Sequence, residues 1–158
     1  MVCKMGKTKE VVYVSAGEGT TSQGDFHEAL NWASNAKAPV IFHIQDNEYA
    51  ISTHRSEQTA SSIYDMTSGY GNLSRYDVDG TDFFETSLAF KEAVQRARRN
   101  KGPSIIVTHV VRLLPHSSSD DQRKYRDEKA LNNDLKKDPL LILESKCIYT
   151  KFIKADEF

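Results

Sequence analysis

Strand-patterned and helix-patterned segments take turns along this 158-residue chain, and their order decides the class of fold. Residues 11–16, VVYVSA, form a short β-branched and aromatic run that stops at Gly17 and opens into a polar, glycine-containing turn. Over residues 25–37 the apolar side chains Phe26, Ala29, Leu30, Ala33 and Ala36 recur at spacings of three and four. That spacing predicts a helix with one buried face, with Ser22 and Asp25 suited to capping it. PVIFHI, residues 39–44, is an unbroken apolar run, the pattern of a strand covered on both sides, and it ends in the polar group Gln45, Asp46, Asn47 and Glu48. Residues 53–72 are rich in Ser, Thr and Tyr without a clean period and read as an ill-defined surface loop carrying one short helix. An edge strand over 73–78 and an Asp79-Gly80 turn lead into a helix over 82–100. There Asp82 and Glu85 form a capping box, Phe83, Phe90, Ala93, Val94 and Ala97 share a face, and Gly102-Pro103 ends the helix. Residues 104–111 are the most β-branched stretch, followed by a polar loop and a charged, helical tail over 120–158 whose last amphipathic piece spans 139–152.

Strands separated by helices in this order predict an α/β fold, a doubly wound and mostly parallel sheet flanked by helices, with ligands outside the carboxyl ends of the strands. Three strand ends then matter: 17–24, 45–49 and 112–121. The length suits a single domain over 1–158. Lysine and arginine number 21 against 22 acids, a net charge of −1, which argues against a nucleic-acid partner. With 39% hydrophobic and 27% charged residues the chain is not disordered, but its core is lean for its length. No apolar run approaches the roughly 18 residues of a membrane span, so the expectation is a cytoplasmic protein without a membrane partner. Cys3 and Cys147 lie far apart and are expected to be free thiols.

The first strand end, AGEGTTSQGD, can cradle a phosphate, because its glycines allow close backbone approach and a helix N-terminus follows. Neither common nucleotide fingerprint fits: Ser22 stands where the third glycine of G-x-G-x-x-G belongs, and no G-K-[ST] occurs. Glu18 is the distinguishing residue. A carboxylate beside a phosphate repels it unless a hard divalent cation lies between and is ligated by both. A second oxygen donor is then needed at a neighbouring strand end, and Asp46-Asn47 lies 28 to 29 residues beyond Glu18, one helix-plus-strand unit away. On spacing alone, Gly-Glu-Gly is more often an ordinary turn, and Asn47 more often a loop cap.

The stretch GEGTTSQGDFHEALNWASNAKAPVIFHIQDNEYAIST resembles the thiamine-diphosphate motif of the α subunits of 2-oxo acid dehydrogenases, G-D/E-G followed further on by Asn. The resemblance continues through SEQTA, YDVDGTDF, KGPSIIVTHVVR and HSSSDDQRKYR, and YAIST with SEQTA looks most like the branched-chain (2-oxoisovalerate) members, with the pyruvate type as alternative. It implies the thiamine-diphosphate-binding fold, here an incomplete diphosphate-binding domain. It further implies that Glu18, the Asn47 side chain and the Tyr49 main-chain oxygen bind Mg²⁺, and that Gly19 and Thr20 meet the diphosphate. Cofactor contact extends by the same resemblance to Gly17, Ala50, Ile51, Arg112 and His116. The family commonly has Glu or Arg and two Asn residues before the Tyr, whereas this chain reads Gln45, Asp46, Asn47, which removes the diphosphate contact an Arg would make there.

In the family, the histidine matching His116 sits in a mobile loop and takes part in reductive acylation of the lipoyl group, so the resemblance makes His116 the catalytic candidate. Ser117 matches a site phosphorylated in mitochondrial relatives; no regulation is expected from it here. The implied reaction is oxidative decarboxylation of a branched-chain 2-oxo acid with acyl transfer to a lipoyl arm. The carboxylate that activates the cofactor's aminopyrimidine belongs to a β subunit or β half, so that part and the complex's lipoyl acyltransferase are the implied partners. The chain starts late and ends at ADEF, partway through a helical region, relative to the family. The expectation is a fragment with little activity alone, self-associating through exposed apolar surface. A rival from another class is a non-catalytic assembly module using the sheet edge and the charged stretch 120–138. His27, His43 and His109 read as structural, and Arg96, Arg98, Arg99 and Lys101 as a solvated helix end.

Overall fold

A computed structural model describes residues 2–6 and 8–154. After a short N-terminal helix, α1 (Val2–Met5), the chain runs β1 (Val12–Gly17), a 3-10 turn (Glu18–Ser22), α2 (Gly24–Ala36) and β2 (Val40–Asp46). A small hairpin, β3 (Tyr49–Ala50) and β4 (Thr53–His54), precedes a second 3-10 turn (Arg55–Glu57) and α3 (Ile63–Met66). Then come β5 (Ser74–Asp79), α4 (Phe83–Arg98), β6 (Ser104–His109), a third 3-10 turn (Gln122–Lys124), α5 (Glu128–Leu135) and α6 (Pro139–Tyr149). The four long strands form one parallel sheet in the order β1-β2-β6-β5. The doubly wound sheet expected from the alternation is present, with α2 on one face and α4 on the other.

On the α2 face, Phe26, Leu30 and Ala33 pack on Phe42, Ile44, Ile105 and Val107. On the opposite face Ala89 and Ala93 of α4 lie against Ile41, Val78 and Ile106. Central β2 and β6 are therefore covered on both sides, which is why their sequences are unbroken apolar runs. His43 faces the α4 side and is satisfied there, bonding the Tyr13 hydroxyl at 2.7 Å and Thr108 Oγ1 at 2.9 Å. This agrees with its structural reading. β1 is an edge strand that leaves Val12, Tyr13 and Val14 exposed.

Several local expectations are corrected. No side chain caps α2: Gln23 holds the N-cap position, and the preceding backbone is already closed by Gln23 N–H donating to the Thr20 carbonyl, with Thr21 Oγ1 donating to the Glu18 carbonyl. Asp82 caps α4 as expected, accepting from the Phe84 and Glu85 amides, but Glu85 reaches the Asp79 amide instead of completing the box. The buried face of α4 is centred on Ala89, Ala93 and Ala97, so Phe83, about 80° round the helix from Ala93, stays exposed. The 53–72 stretch is more ordered than a surface loop, because Ile63 and Thr67 plug into the core at its far end. Lys146 of α6 bonds Asp82 and holds its carboxyl below the ordinary carboxylate range, tying the tail to the start of α4. Cys3 and Cys147 are free, as expected. Among the described residues, no helix is long and apolar enough to cross a membrane. The expected ending inside a helical region at 155–158 lies outside the described residues.

Two predictions follow from the core. Leu30 is fully buried, so Leu30→Ala should lower unfolding stability by about 2–5 kcal/mol in a denaturant titration. Burial pushes the His43 imidazole pKa down. Near pH 6.5 the unfolded chain therefore takes up a proton that the folded chain refuses. This contribution to stability is complete above that pH and falls as pH drops through it toward the lower folded value. Melting temperatures between about pH 7.5 and 5.5 should decline on acidification, and His43→Gln should flatten that slope.

Candidate functional site

Parallel pairing places Gly17 of β1 opposite Gln45 of β2, so the Glu18 turn and the Asp46-Asn47 turn leave the sheet side by side. Glu18 is only 3% exposed, yet its carboxylate has no hydrogen-bond or ion-pair partner among the described residues. The turn carrying it packs on the β3 hairpin so closely that a Cβ on Gly19 would stand 2.8 Å from Ala50 Cβ. Glycine is thus required at 19 for the two segments to meet. Asn47 Oδ1 accepts the Tyr49 amide at 3.0 Å, an Asx turn that fixes the side chain at the strand end. Gly17, Glu18, Gly19, Thr20, Asn47, Tyr49 and Ala50 therefore belong to one cluster of turns.

The hairpin holds unusual backbone. Glu48 has φ +69° and Ile51 φ +57°, the latter a β-branched residue in the left-handed region, which costs on the order of 1–3 kcal/mol. The Ile51 carbonyl accepts Arg112 Nη1 at 2.8 Å, and Arg112 Nη2 donates to the Tyr125 hydroxyl at 2.7 Å. The Arg112 guanidinium carbon also lies 5.5 Å from the Tyr49 ring centroid and 5.6 Å from that of Tyr125, with Arg126 5.2 Å from Tyr49. Its Nε remains buried and unpaired, a donor left over for another group. Arg126 is buried, bonded to Asp134, the Gln122 side chain and the Arg112 carbonyl.

His116 is not placed against this cluster: its ring is exposed and makes no hydrogen bond among the described residues. The link runs through the backbone. Asp120 Oδ2 accepts both the His116 amide at 2.9 Å and the Tyr125 hydroxyl at 2.6 Å, so the 116–120 loop is tethered to Arg112 and from there to the hairpin. The Tyr125 hydroxyl and the His116 amide hold the Asp120 carboxyl below its ordinary range, while burial and then the Asp120 contact raise the Tyr125 phenol. Sequence reasoning did not single out Tyr125, Asp120, Arg126 or Arg55; clustered Tyr and Arg directly after the polar loop was the available signal. Ser117 is exposed and bonds Ser119 Oγ at 3.2 Å.

Beyond the hairpin, a cleft of about 660 Å³ opens at the carboxyl ends of β2, β5 and β6 under α5 and α6. Asn47 and Tyr49 are among its lining residues, as are Asp77, Asp79, His109 and Arg126. His109 is bonded to Asp77 at 2.6 Å and His27 to the Tyr70 hydroxyl at 3.1 Å, both structural partnerships. Arg96 and Arg98 reach the carbonyls of Asn72 and Lys9, so that helix end is not wholly solvated. No group of three or more His, Cys, Asp and Glu side chains gathers to hold a metal among the described residues. The Glu18, Asn47 and Tyr49 set contains one carboxylate, and a hard divalent ion there would complete its shell with ligand and water oxygens. A largely enclosed carboxylate with no partner among the described residues, next to the turn that carries the Asn47 amide oxygen, fits such an ion.

Parallel strands wound on both sides, with their polar turns gathered at one end, define an α/β protein of the class whose ligands lie outside the carboxyl ends of the strands. The chain belongs to the dehydrogenase E1 component family, whose model matches residues 1–157. It is 43% identical over 143 residues to the 2-oxoisovalerate dehydrogenase subunit alpha of Bacillus subtilis (strain 168), which covers 90% of this chain and 43% of that relative. It is 38% identical over 142 residues to the pyruvate dehydrogenase E1 component subunit alpha of Acholeplasma laidlawii (89% of this chain, 41% of that one). Against the same subunit of Staphylococcus aureus (strain Mu50 / ATCC 700699) the figure is 40% over 153 residues (94% and 41%). The chain thus spans about two fifths of the length of the curated relatives it matches. Among solved structures, transketolase from Campylobacter jejuni shares the fold, with a TM-score of 0.56 at 18% identity over 65% of this chain and 16% of that one.

The tether yields a prediction. Tyr125→Phe removes the hydroxyl that joins Asp120 to Arg112, so amides 116–120 should exchange hydrogen faster while the sheet amides do not change. In the parent, the Asp120 anchor should be complete above the ordinary aspartate pKa of about 4 and lost as pH falls below it, because its folded value is depressed.

Proposed function

We propose that this chain is the α-type, diphosphate-binding part of a thiamine-diphosphate-dependent 2-oxo acid dehydrogenase of the branched-chain type. The observation that carries the reading is Glu18: a residue 3% exposed, whose carboxylate has no partner among the described residues, at a strand end that adjoins the Asn47 turn. Such a group is unfavourable unless a cation completes it. Glu18, the Asn47 side chain and the Tyr49 carbonyl would hold Mg²⁺, and Gly17, Gly19, Thr20, Ala50 and Ile51 would form the wall against which the cofactor lies. When bound, thiamine diphosphate supplies the electron sink for loss of CO₂ from a 2-oxo acid.

The chain's own residues act by placement and charge. Gly19 lets the Glu18 turn reach the hairpin, and Arg112 pins Ile51 in a conformation an isoleucine does not adopt unaided. Arg112 also brings positive charge toward the diphosphate. His116, on a tethered but exposed loop, is the group positioned to meet an incoming lipoyl arm. A β subunit or β half carrying the pyrimidine-binding domain and the complex's lipoyl acyltransferase are the proposed partners. The described residues are read as one diphosphate-binding domain, and this chain by itself is expected to self-associate through exposed apolar surface. The 43% identity to a 2-oxoisovalerate subunit, above the 38% and 40% to pyruvate subunits, supports the branched-chain reading.

Calorimetric titration with thiamine diphosphate should show binding by the parent in the presence of Mg²⁺ and none after chelation. Glu18→Ala and Asn47→Ala should each weaken it more than about tenfold. A parent that gives no metal-dependent heat would end this reading.

A further inference from the structure

Asp46 stands immediately before Asn47, at a position where the resembling family carries Asn, and it is 1% exposed. A second buried carboxylate here threatens the proposed site in two ways. It would compete with Asn47 for a divalent cation, and it would repel a diphosphate. Its neighbours remove both threats. Oδ1 accepts the Glu48 amide at 2.9 Å, and Oδ2 is taken by Arg55 Nη1. His109 Nδ1 lies 3.9 Å from the same Oδ2.

Arg55 does more than neutralise. Its backbone amide donates to the Glu48 carbonyl at 2.8 Å, and its Nη2 lies 3.7 Å from Glu48 Oε1. Glu48 is the residue at φ +69°, the corner from which the chain turns into Tyr49. The amide of that corner is therefore held by the Asp46 carboxylate and its carbonyl by the main-chain amide of Arg55, whose side chain in turn holds Asp46. Arg55 is 23% exposed at its side chain while Asp46 is at 0%, so the pair is dry on the carboxylate side. The corner is also short of alternatives, since a glutamate does not favour the left-handed region on its own.

We propose that Asp46 and Arg55 are a pair of positioning residues that clamp the 47–54 hairpin. They present the Asn47 side chain and the Tyr49 carbonyl to a divalent cation and keep the Asp46 charge from entering that cation's shell. The inference rests on the thiamine-diphosphate reading above but assigns roles to two residues that take no part in binding themselves. Breaking the pair from the arginine side leaves a buried carboxylate uncompensated, whereas neutralising both partners removes the charge while keeping an oxygen for the Glu48 amide.

The test compares the parent, Arg55→Gln and the double variant Asp46→Asn/Arg55→Gln. Calorimetry with thiamine diphosphate and Mg²⁺ is run well below each melting temperature, and amide hydrogen exchange at Glu48 and Tyr49 is followed without ligand. Arg55→Gln should weaken binding about tenfold and speed exchange at both amides, and the double variant should return to within about threefold of the parent. If Arg55→Gln does not fold, the folded double variant and Arg55→Lys, which keeps the charge but not the fork, carry the comparison. Retained affinity in the double variant with a loss of about threefold or more in Arg55→Lys then supports the clamp. Lower melting temperatures with unchanged affinity would reduce the pair to structural support and overturn the proposal, as would a double variant as weak as the single one. Parent binding with indifferent variants sinks the clamp alone, while a parent that binds no cofactor sinks the functional reading with it.

Discussion

Glu18 follows an edge strand, is 3% exposed and has no counter-charge among the described residues, and the arrangement around it follows from that fact. Moving a carboxylate out of water is unfavourable by several kcal/mol unless it is paired or bound to a cation. The fold does not remove the difficulty by bringing an arginine to it. Instead it brings an amide oxygen, through the parallel register that sets Gly17 opposite Gln45, and a closely packed turn in which a Cβ at position 19 cannot be accommodated. An enclosed acid beside a turn that carries a neutral oxygen donor suits the hard-cation site proposed above better than an anion site or a salt bridge.

Positive charge is present nearby, but it is already engaged. The Arg112 guanidinium donates to the carbonyl of Ile51, while the Arg55 guanidinium pairs with Asp46 and its main-chain amide donates to the Glu48 carbonyl, so both left-handed residues of the hairpin are tied down. Residues in such conformations persist only where their surroundings over-determine them. Tyr49 lies between the Arg112 and Arg126 guanidiniums, and Tyr125 passes the constraint on to Asp120 and the loop bearing His116. The hairpin and the 116–120 loop are thereby parts of one polar network although 60 to 70 residues separate them. Loosening either end alters the other, because networks of this kind couple their members.

How much of this was legible beforehand depends on whether a feature leaves a periodic trace. The β2 and β6 runs announced buried strands because both their faces are covered, and Asp82 announced α4 because a cap is a local bond between residues two and three apart. The Glu18-to-Asn47 separation predicted adjacent strand ends, since one helix and one strand fill it. Phe83 misled, because a pattern of apolar residues does not say whether alanines or phenylalanines will occupy the centre of the contact. The Asp46–Arg55 pair and the backbone of Ile51 left no trace, and the Tyr125–Asp120 bond left only the clustered Tyr and Arg after the polar loop. They are contacts between irregular segments whose meeting is set by the completed fold and by no repeat in the chain.

The weakest point of this design is β1. Its backbone pairs on one side only, Val12, Tyr13 and Val14 lie exposed, and none of the usual edge protections, a proline, a bulge or a charge within the strand, interrupts VYVSAG. Edge strands open locally at lower free energy than central ones. Because Glu18 follows β1 without an intervening residue, each opening of the edge carries the carboxylate away from the Asn47 turn. On the function proposed above, a cation held between Glu18 and Asn47 would steady the strand, and any chain that pairs with the strand would steady the site, each in proportion to its preference for the closed form.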